Sequence, residues 1–131
     1  MNAIEAELLA LEEGRIDPKE FPHREHVRLA FEKLRRHSFA EAAARFARGL
    51  RAITIRAGKP EVYNETITVA FLALIGERLA HEPRGRWLEF ISANKDLADK
   101  NVLQRWYDGA ELKSEIARRT FVLPKALRPL P

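Results

Sequence analysis

The chain has no cysteine among its 131 residues. Disulfide frameworks, thiolate metal sites, cysteine nucleophiles and iron–sulfur clusters are therefore excluded, and any chemistry falls to nitrogen and oxygen groups. No stretch reaches the ~18 consecutive apolar residues of a membrane-spanning helix. The acidic start around Glu5 and Glu7 is unlike a secretory signal. The expectation is a protein with no membrane association and a cytoplasmic location. A glycine-rich phosphate loop, a Ser/His/Asp order and a paired-acid motif are also missing, which removes the familiar signatures of nucleotide and hydrolytic enzymes.

What remains is the composition of a globular protein, with 46% hydrophobic and 32% charged residues. The length suits one domain, residues 1–131, able to bury a core without a staple. The charge excess is small, 23 basic against 19 acidic side chains. One local excess stands out over residues 38–57, where Arg45, Arg48, Arg51 and Arg56 fall opposite the apolar stripe. No nucleic-acid recognition motif accompanies it, so a water-facing helix side is the better reading.

The periodicity is helical almost throughout. Asn2 with Glu5 has the form of a capping pair, Ile4, Leu8 and Leu11 mark an apolar face, and Gly14 suits a left-handed stop, giving a first helix over 3–13. Asp17-Pro18 is a turn. Pro22 stands where a first helical residue may lack its N–H, so a second helix runs over 22–37. Ser38 with Glu41 reads as a capping box for a third, whose Phe39, Ala42, Phe46, Leu50 and Ile53 repeat at helical spacing before Gly58.

Residues 65–80 are apolar on nearly every side. The run is long and rich in Ala and Leu, so it reads as the central helix despite its β-branched start. Shorter helices follow over 87–94, 101–107 and 114–119, the last capped by Ser114, with a turn at Asp108-Gly109. Beyond Thr120 the chain is expected to be extended, since Pro124, Pro129 and Pro131 oppose a helix. The fold class is all-α: a compact helical bundle around one apolar helix, with a proline-containing tail.

Polar groups then appear where packing would favour carbon. His23, Val27, Ala30 and Leu34 share one helical face with His26 on its flank, so both imidazoles point inward. Tyr63, Asn64, Glu65, Thr66 and Thr68 open the central helix. Three readings use these residues. As a metal centre, His23, His26 and Glu65 would hold zinc, iron or manganese and leave a position open. As a small-molecule pocket, His23, His26, Tyr63, Asn64, Glu65, Thr66, Thr68 and Tyr107 would line it, with His26 or Glu65 as a catalytic base. As a structural network, the same groups would satisfy one another, the blander assignment residue by residue. A non-catalytic interaction module is the competing functional class, using the arginine stripe or an apolar surface that forms a homodimer.

At these positions the chain resembles a family of small, uncharacterised bacterial proteins. Their shared motifs are aromatic-x-His-x-x-His, Tyr-His-Glu-Thr-x-Thr, a pair of aromatics, and a tail of Phe/Trp-Val-x-Pro-Asp with Pro-Leu-Pro. Here they stand as Phe21-Pro22-His23-Arg24-Glu25-His26, Tyr63-Asn64-Glu65-Thr66-Ile67-Thr68, Trp106-Tyr107, and Phe121-Val122-Leu123-Pro124-Lys125 with Pro129-Leu130-Pro131. The resemblance covers nearly the whole chain and implies that the histidines, the Tyr63 block and the tail belong to one design. It brings no activity. Asn64 replaces the family's histidine and Lys125 its aspartate, and both departures weaken a metal-enzyme reading.

Overall fold

In the structure, a computed structural model that describes residues 1–125, the chain is all-α. Seven α-helices follow one another: α1 (Ala3–Glu12), α2 (His23–Arg36), α3 (Phe39–Arg56), α4 (Glu65–His81), α5 (Trp87–Ala93), α6 (Gly109–Leu112) and α7 (Glu115–Arg119). Tight 3-10 turns occupy Pro18–Glu20, Pro60–Val62, Lys95–Ala98 and Val102–Arg105, and no strand occurs among the described residues.

Helix ends follow the local chemistry, with a few instructive differences. Asn2 and Glu5 close a reciprocal box, the Glu5 N–H donating to Asn2 Oδ1 at 2.8 Å and the Asn2 N–H to Glu5 Oε2 at 3.3 Å. At α3 only half of the expected box forms. Ser38 Oγ accepts from the Glu41 N–H at 3.4 Å, but the Glu41 carboxylate takes Arg45 Nε at 2.6 Å instead of turning back. Pro22 is the N-cap of α2, not its first helical residue. The helix expected over 101–107 is a 3-10 turn at Val102–Arg105, and the turn at Asp108-Gly109 opens the four-residue α6. Residues 121–124 carry no regular structure, as expected of the tail; Pro129, Leu130 and Pro131 lie outside the described residues.

The core divides into two clusters, with α4 between them. The larger gathers Leu8 and Leu11 of α1, Val27, Leu29 and Phe31 of α2, Phe46 and Ile53 of α3, and Leu72 and Ile75 of α4. The smaller, Val102, Leu103, Tyr107 and Leu112, packs on Ile67, Ala70, Phe71 and Leu74. Each large side chain buried this way contributes roughly 1.5–3 kcal/mol of transfer free energy. That makes α4 the element on which α2, α3 and α7 all lean. It is not enclosed, however: Ala73, Glu77 and Ala80 form an exposed strip along its outer side.

The junction of α1, α2 and α3 holds a buried charge. The Lys33 side chain is almost wholly enclosed and its ammonium pairs with the Glu12 carboxylate, while Arg45 reaches the same oxygen at 3.5 Å. Burial lowers the lysine's pKa, with Arg45 and Arg36 adding to the effect. Removing either partner would strand a charge in apolar surroundings. Close approach of the backbones makes this junction possible, because a Cβ at Gly49 would stand 2.3 Å from the Leu11 carbonyl oxygen. Gly49→Ala should therefore lower stability by roughly 1–3 kcal/mol through overpacking, although alanine is the better helix former by ~1 kcal/mol. Urea denaturation checks it; an unchanged or raised midpoint would mean that α1 is not seated against α3.

Candidate functional site

Pro22 ends the extended entry into α2, so the first turn of that helix carries both histidines toward the interior. There they line a cavity of about 420 Å³ together with Val27 and Ala30 of α2, Phe46 and Leu50 of α3, and Thr68, Phe71, Leu72 and Ile75 of α4. Lys100 and Asn101, both exposed, border its open end.

Each imidazole is fixed differently. His23 Nε2–H donates to the Leu97 carbonyl oxygen at 2.9 Å, while the ring meets Phe71 edge-on with centroids 4.9 Å apart. Since a carbonyl can only accept, this bond selects the tautomer that leaves Nδ1 with a lone pair. His26 stacks on Phe21 with centroids 4.0 Å apart. Burial first, and then the neighbouring His23, lower its pKa to about 4, against the partial opposition of a hydrogen bond with the Phe21 backbone. At neutral pH the inner wall thus presents an uncharged imidazole.

The Tyr63 block, read as one cluster in the sequence, divides among different tasks. Asn64 caps α4, its Oδ1 accepting from the Ile67 N–H at 2.9 Å, while its Nδ2 donates to the Leu112 carbonyl at 2.6 Å. Thr66 is 0% exposed. Its hydroxyl donates to the Thr120 carbonyl at 2.7 Å and accepts from the Val122 N–H at 3.0 Å. Tyr107 donates to the Val122 carbonyl at 2.8 Å. Asn64, Thr66 and Tyr107 therefore hold the C-terminal segment, and none of them lines the cavity.

Tyr63 and Glu65 form a second group. The Tyr63 hydroxyl bonds the Glu65 carboxylate, Arg51 reaches that carboxylate at 3.5 Å, and the same guanidinium lies over the Tyr63 ring at 5.3 Å. Burial first, and then the bond to Glu65, raise the Tyr63 pKa above its ordinary value. Only Thr68, among the polar residues of the block, lines the cavity beside the histidines. Its hydroxyl donates back to the Asn64 carbonyl at 2.8 Å, so it presents acceptor lone pairs to a neighbour.

Among the described residues no three His, Cys, Asp or Glu side chains gather into a group that could hold a metal ion. The set of His23, His26 and Glu65 is accordingly not assembled: Glu65 is held by Tyr63 and Arg51, and His23 Nε2 by Leu97. Most of the arginine stripe is likewise engaged. Arg45 pairs with Glu41 and Glu12, Arg51 with Glu65, and Arg56 donates to the Gly14 carbonyl at 3.3 Å.

Sequence reasoning missed Leu97, Lys100 and Asn101. Residues 94–101 are polar or charged apart from Leu97 and Ala98 and show no stripe, a loop signal that says nothing of where the loop will lie. Among the described residues no helix is long and apolar enough to cross a membrane. Comparison of the chain with protein-family models, curated proteins and solved structures finds no match.

The position of His26 has a consequence for stability. The unfolded chain takes up its proton near 6.5 and the folded one only near 4, so this contribution is complete above pH 6.5 and is lost as pH falls through that interval. By pH 5 the loss should be about 2 kcal/mol. Urea midpoints at pH 7.5 and 5.0 should diverge for the parent and much less for His26→Gln. Parallel declines would show that His26 titrates normally.

Proposed function

We propose that the protein binds a small molecule with an apolar body in the cavity between α2, α3 and α4. The observation that carries this reading is the cavity itself. Its size falls within the range of ligand pockets, and it combines a mostly hydrocarbon wall with a few convergent polar atoms, from His23, His26 and Thr68. A purely structural network would bring the imidazoles into contact with the Tyr63 block. Their partners are instead Leu97, Phe21 and Phe71, and both rings border the open space.

The reading is one of binding. A neutral His26 could take a proton from a bound ligand, but Glu65 would first have to leave the Tyr63 hydroxyl and Arg51. Ala30 is buried on the cavity wall one turn after His26, so a larger side chain there occupies part of the space without removing either histidine. Anilinonaphthalene sulfonate should bind the parent saturably with one site, detected by its fluorescence. Ala30→Leu should weaken it about tenfold, equivalent to ~1.4 kcal/mol, while the circular dichroism stays helical. Equal binding by the two proteins would place the dye elsewhere and remove the support for the cavity.

A second reading, self-association, is favoured by the outer side of α4. Ala73 and Glu77 border two shallow apolar grooves at once, one lined by Leu34, Phe39 and Pro83, the other by Trp106, Phe121 and Leu123. Phe39 is 44% exposed and Leu123 47%. This face carries an acid, Glu77, and a base, Arg35, neither of which forms a salt bridge among the described residues. A two-fold axis along α4 would set each against the other's counterpart, which suits a second copy of the chain. Sedimentation should then show a dimer that Ala73→Arg converts to monomer; a monomeric parent at high concentration would sink this reading.

A further inference from the structure

The cavity has a direction, and its charges are all of one kind. At its inner end stand Leu72 and Ile75, each 1% exposed, with Phe46 beside them. At its mouth stand Lys100 and Asn101, both exposed. Among the described residues no aspartate or glutamate lines the space between.

The available hydrogen-bonding roles divide in the same way. Thr68 has spent its donor on the Asn64 carbonyl and His23 has spent Nε2–H on Leu97, so both offer acceptors to the cavity side. His26 carries no charge at neutral pH. The ring N–H of His26 is taken up by the Phe21 backbone, so among the described lining residues the donors left for a charged ligand group are those of Lys100 and Asn101. The position of the mouth is itself fixed, because the His23–Leu97 bond ties the chain to α2 three residues before Lys100. Lys100 forms no ion pair among the described residues. The nearest acid in sequence, Asp99, turns its Oδ1 to the Asn101 N–H at 2.9 Å.

From this arrangement we infer that the ligand is an apolar carboxylic acid bound as its anion, with the carboxylate at Lys100 and Asn101 and the hydrocarbon directed toward Phe46, Leu72 and Ile75. The inference rests on the reading of the cavity as a ligand site and adds the class of ligand. A cation is disfavoured by the lone ammonium, and a zwitterion would leave its positive group without an acidic partner. A neutral hydrocarbon would gain the burial but nothing from the mouth. The carboxylate stays at the rim, where partial hydration spares it the cost of full burial.

The test compares acids with their uncharged primary amides, so that body and shape are held nearly constant. Octanoate and 3-phenylpropanoate, each paired with its amide, are titrated by calorimetry into the full chain, into Lys100→Met, Lys100→Arg and Ala30→Leu. At least one acid should bind the parent about fivefold more tightly than its amide. Lys100→Met should abolish that preference by weakening the acid alone, Lys100→Arg should retain it, and Ala30→Leu should weaken acid and amide together. The preference should shrink with added salt, as expected for a partly solvated ion pair. Acid and amide binding equally, both lost in Ala30→Leu, would overturn the anionic ligand and leave the cavity reading standing. No binding of any of the four, together with dye binding unaffected by Ala30→Leu, would overturn both.

Discussion

The first turn of α4 can be buried only if each of its polar groups finds a partner elsewhere in the chain, and much of the architecture follows from how that is done. A helix N-terminus leaves donors that its own ladder cannot satisfy, and a buried unpaired group costs about 1–3 kcal/mol. Here the Asn64 side chain supplies the cap and also reaches the Leu112 carbonyl. The Thr66 hydroxyl, fully enclosed, serves one donor and one acceptor of the segment after α7. Glu65, the acidic residue that the helix dipole favours at this end, is neutralised by Arg51 and the Tyr63 hydroxyl. Three side chains thus bring α3, α6 and the chain beyond Thr120 to the same turn. The smaller core cluster of Val102, Leu103, Tyr107 and Leu112 can then close over the face of Ile67 and Phe71.

Committing those groups to structure removes them from the candidate site, and this decides what kind of site remains. The cavity receives from that first turn only Ile67 and Thr68, of which Thr68 alone is polar. Its polar character comes from α2 instead, through two histidines whose partners are a carbonyl and aromatic rings. The His26 imidazole, its pKa lowered by burial, is a weak base. Apolar walls strengthen whatever electrostatic contact does occur at the mouth, because water is displaced from one side of it. The site that results is suited to holding a molecule in one orientation.

The helices were legible because their signals are local. The Asn2–Glu5 box, Ser38, Ser114, Gly14 and Gly58 act within a turn of their own position, and the structure uses each of them at a helix end. The inward direction of His23 and His26 could be read from spacing alone, since both line the cavity with Val27 and Ala30. What spacing could not show is which partner a side chain would choose across tens of residues. Tyr63, Asn64, Glu65 and Thr66 are consecutive, yet Tyr63 and Asn64 are extended where the chain enters α4 while Glu65 and Thr66 stand about 100° apart on its first turn, so the four divide among α3, α6 and the tail. Lys100 was invisible for the opposite reason: nothing near it in sequence marks it, and its place depends on Leu97 meeting His23.

The same geometry accounts for the asparagine at position 64. At an N-cap a short side chain must accept from the N–H two or three residues on, and asparagine is among the best residues for that position. Its amide then has a donor left for the Leu112 carbonyl, which a cap without an N–H could not supply. Asparagine here fastens the junction of α4 with α6. With Glu65 bound to Arg51 and Tyr63, the first turn of α4 has become a fastening for the rest of the chain. The two histidines of α2 are left to face the cavity, where, among the described lining residues, Lys100 carries the one charge without an ion-pair partner.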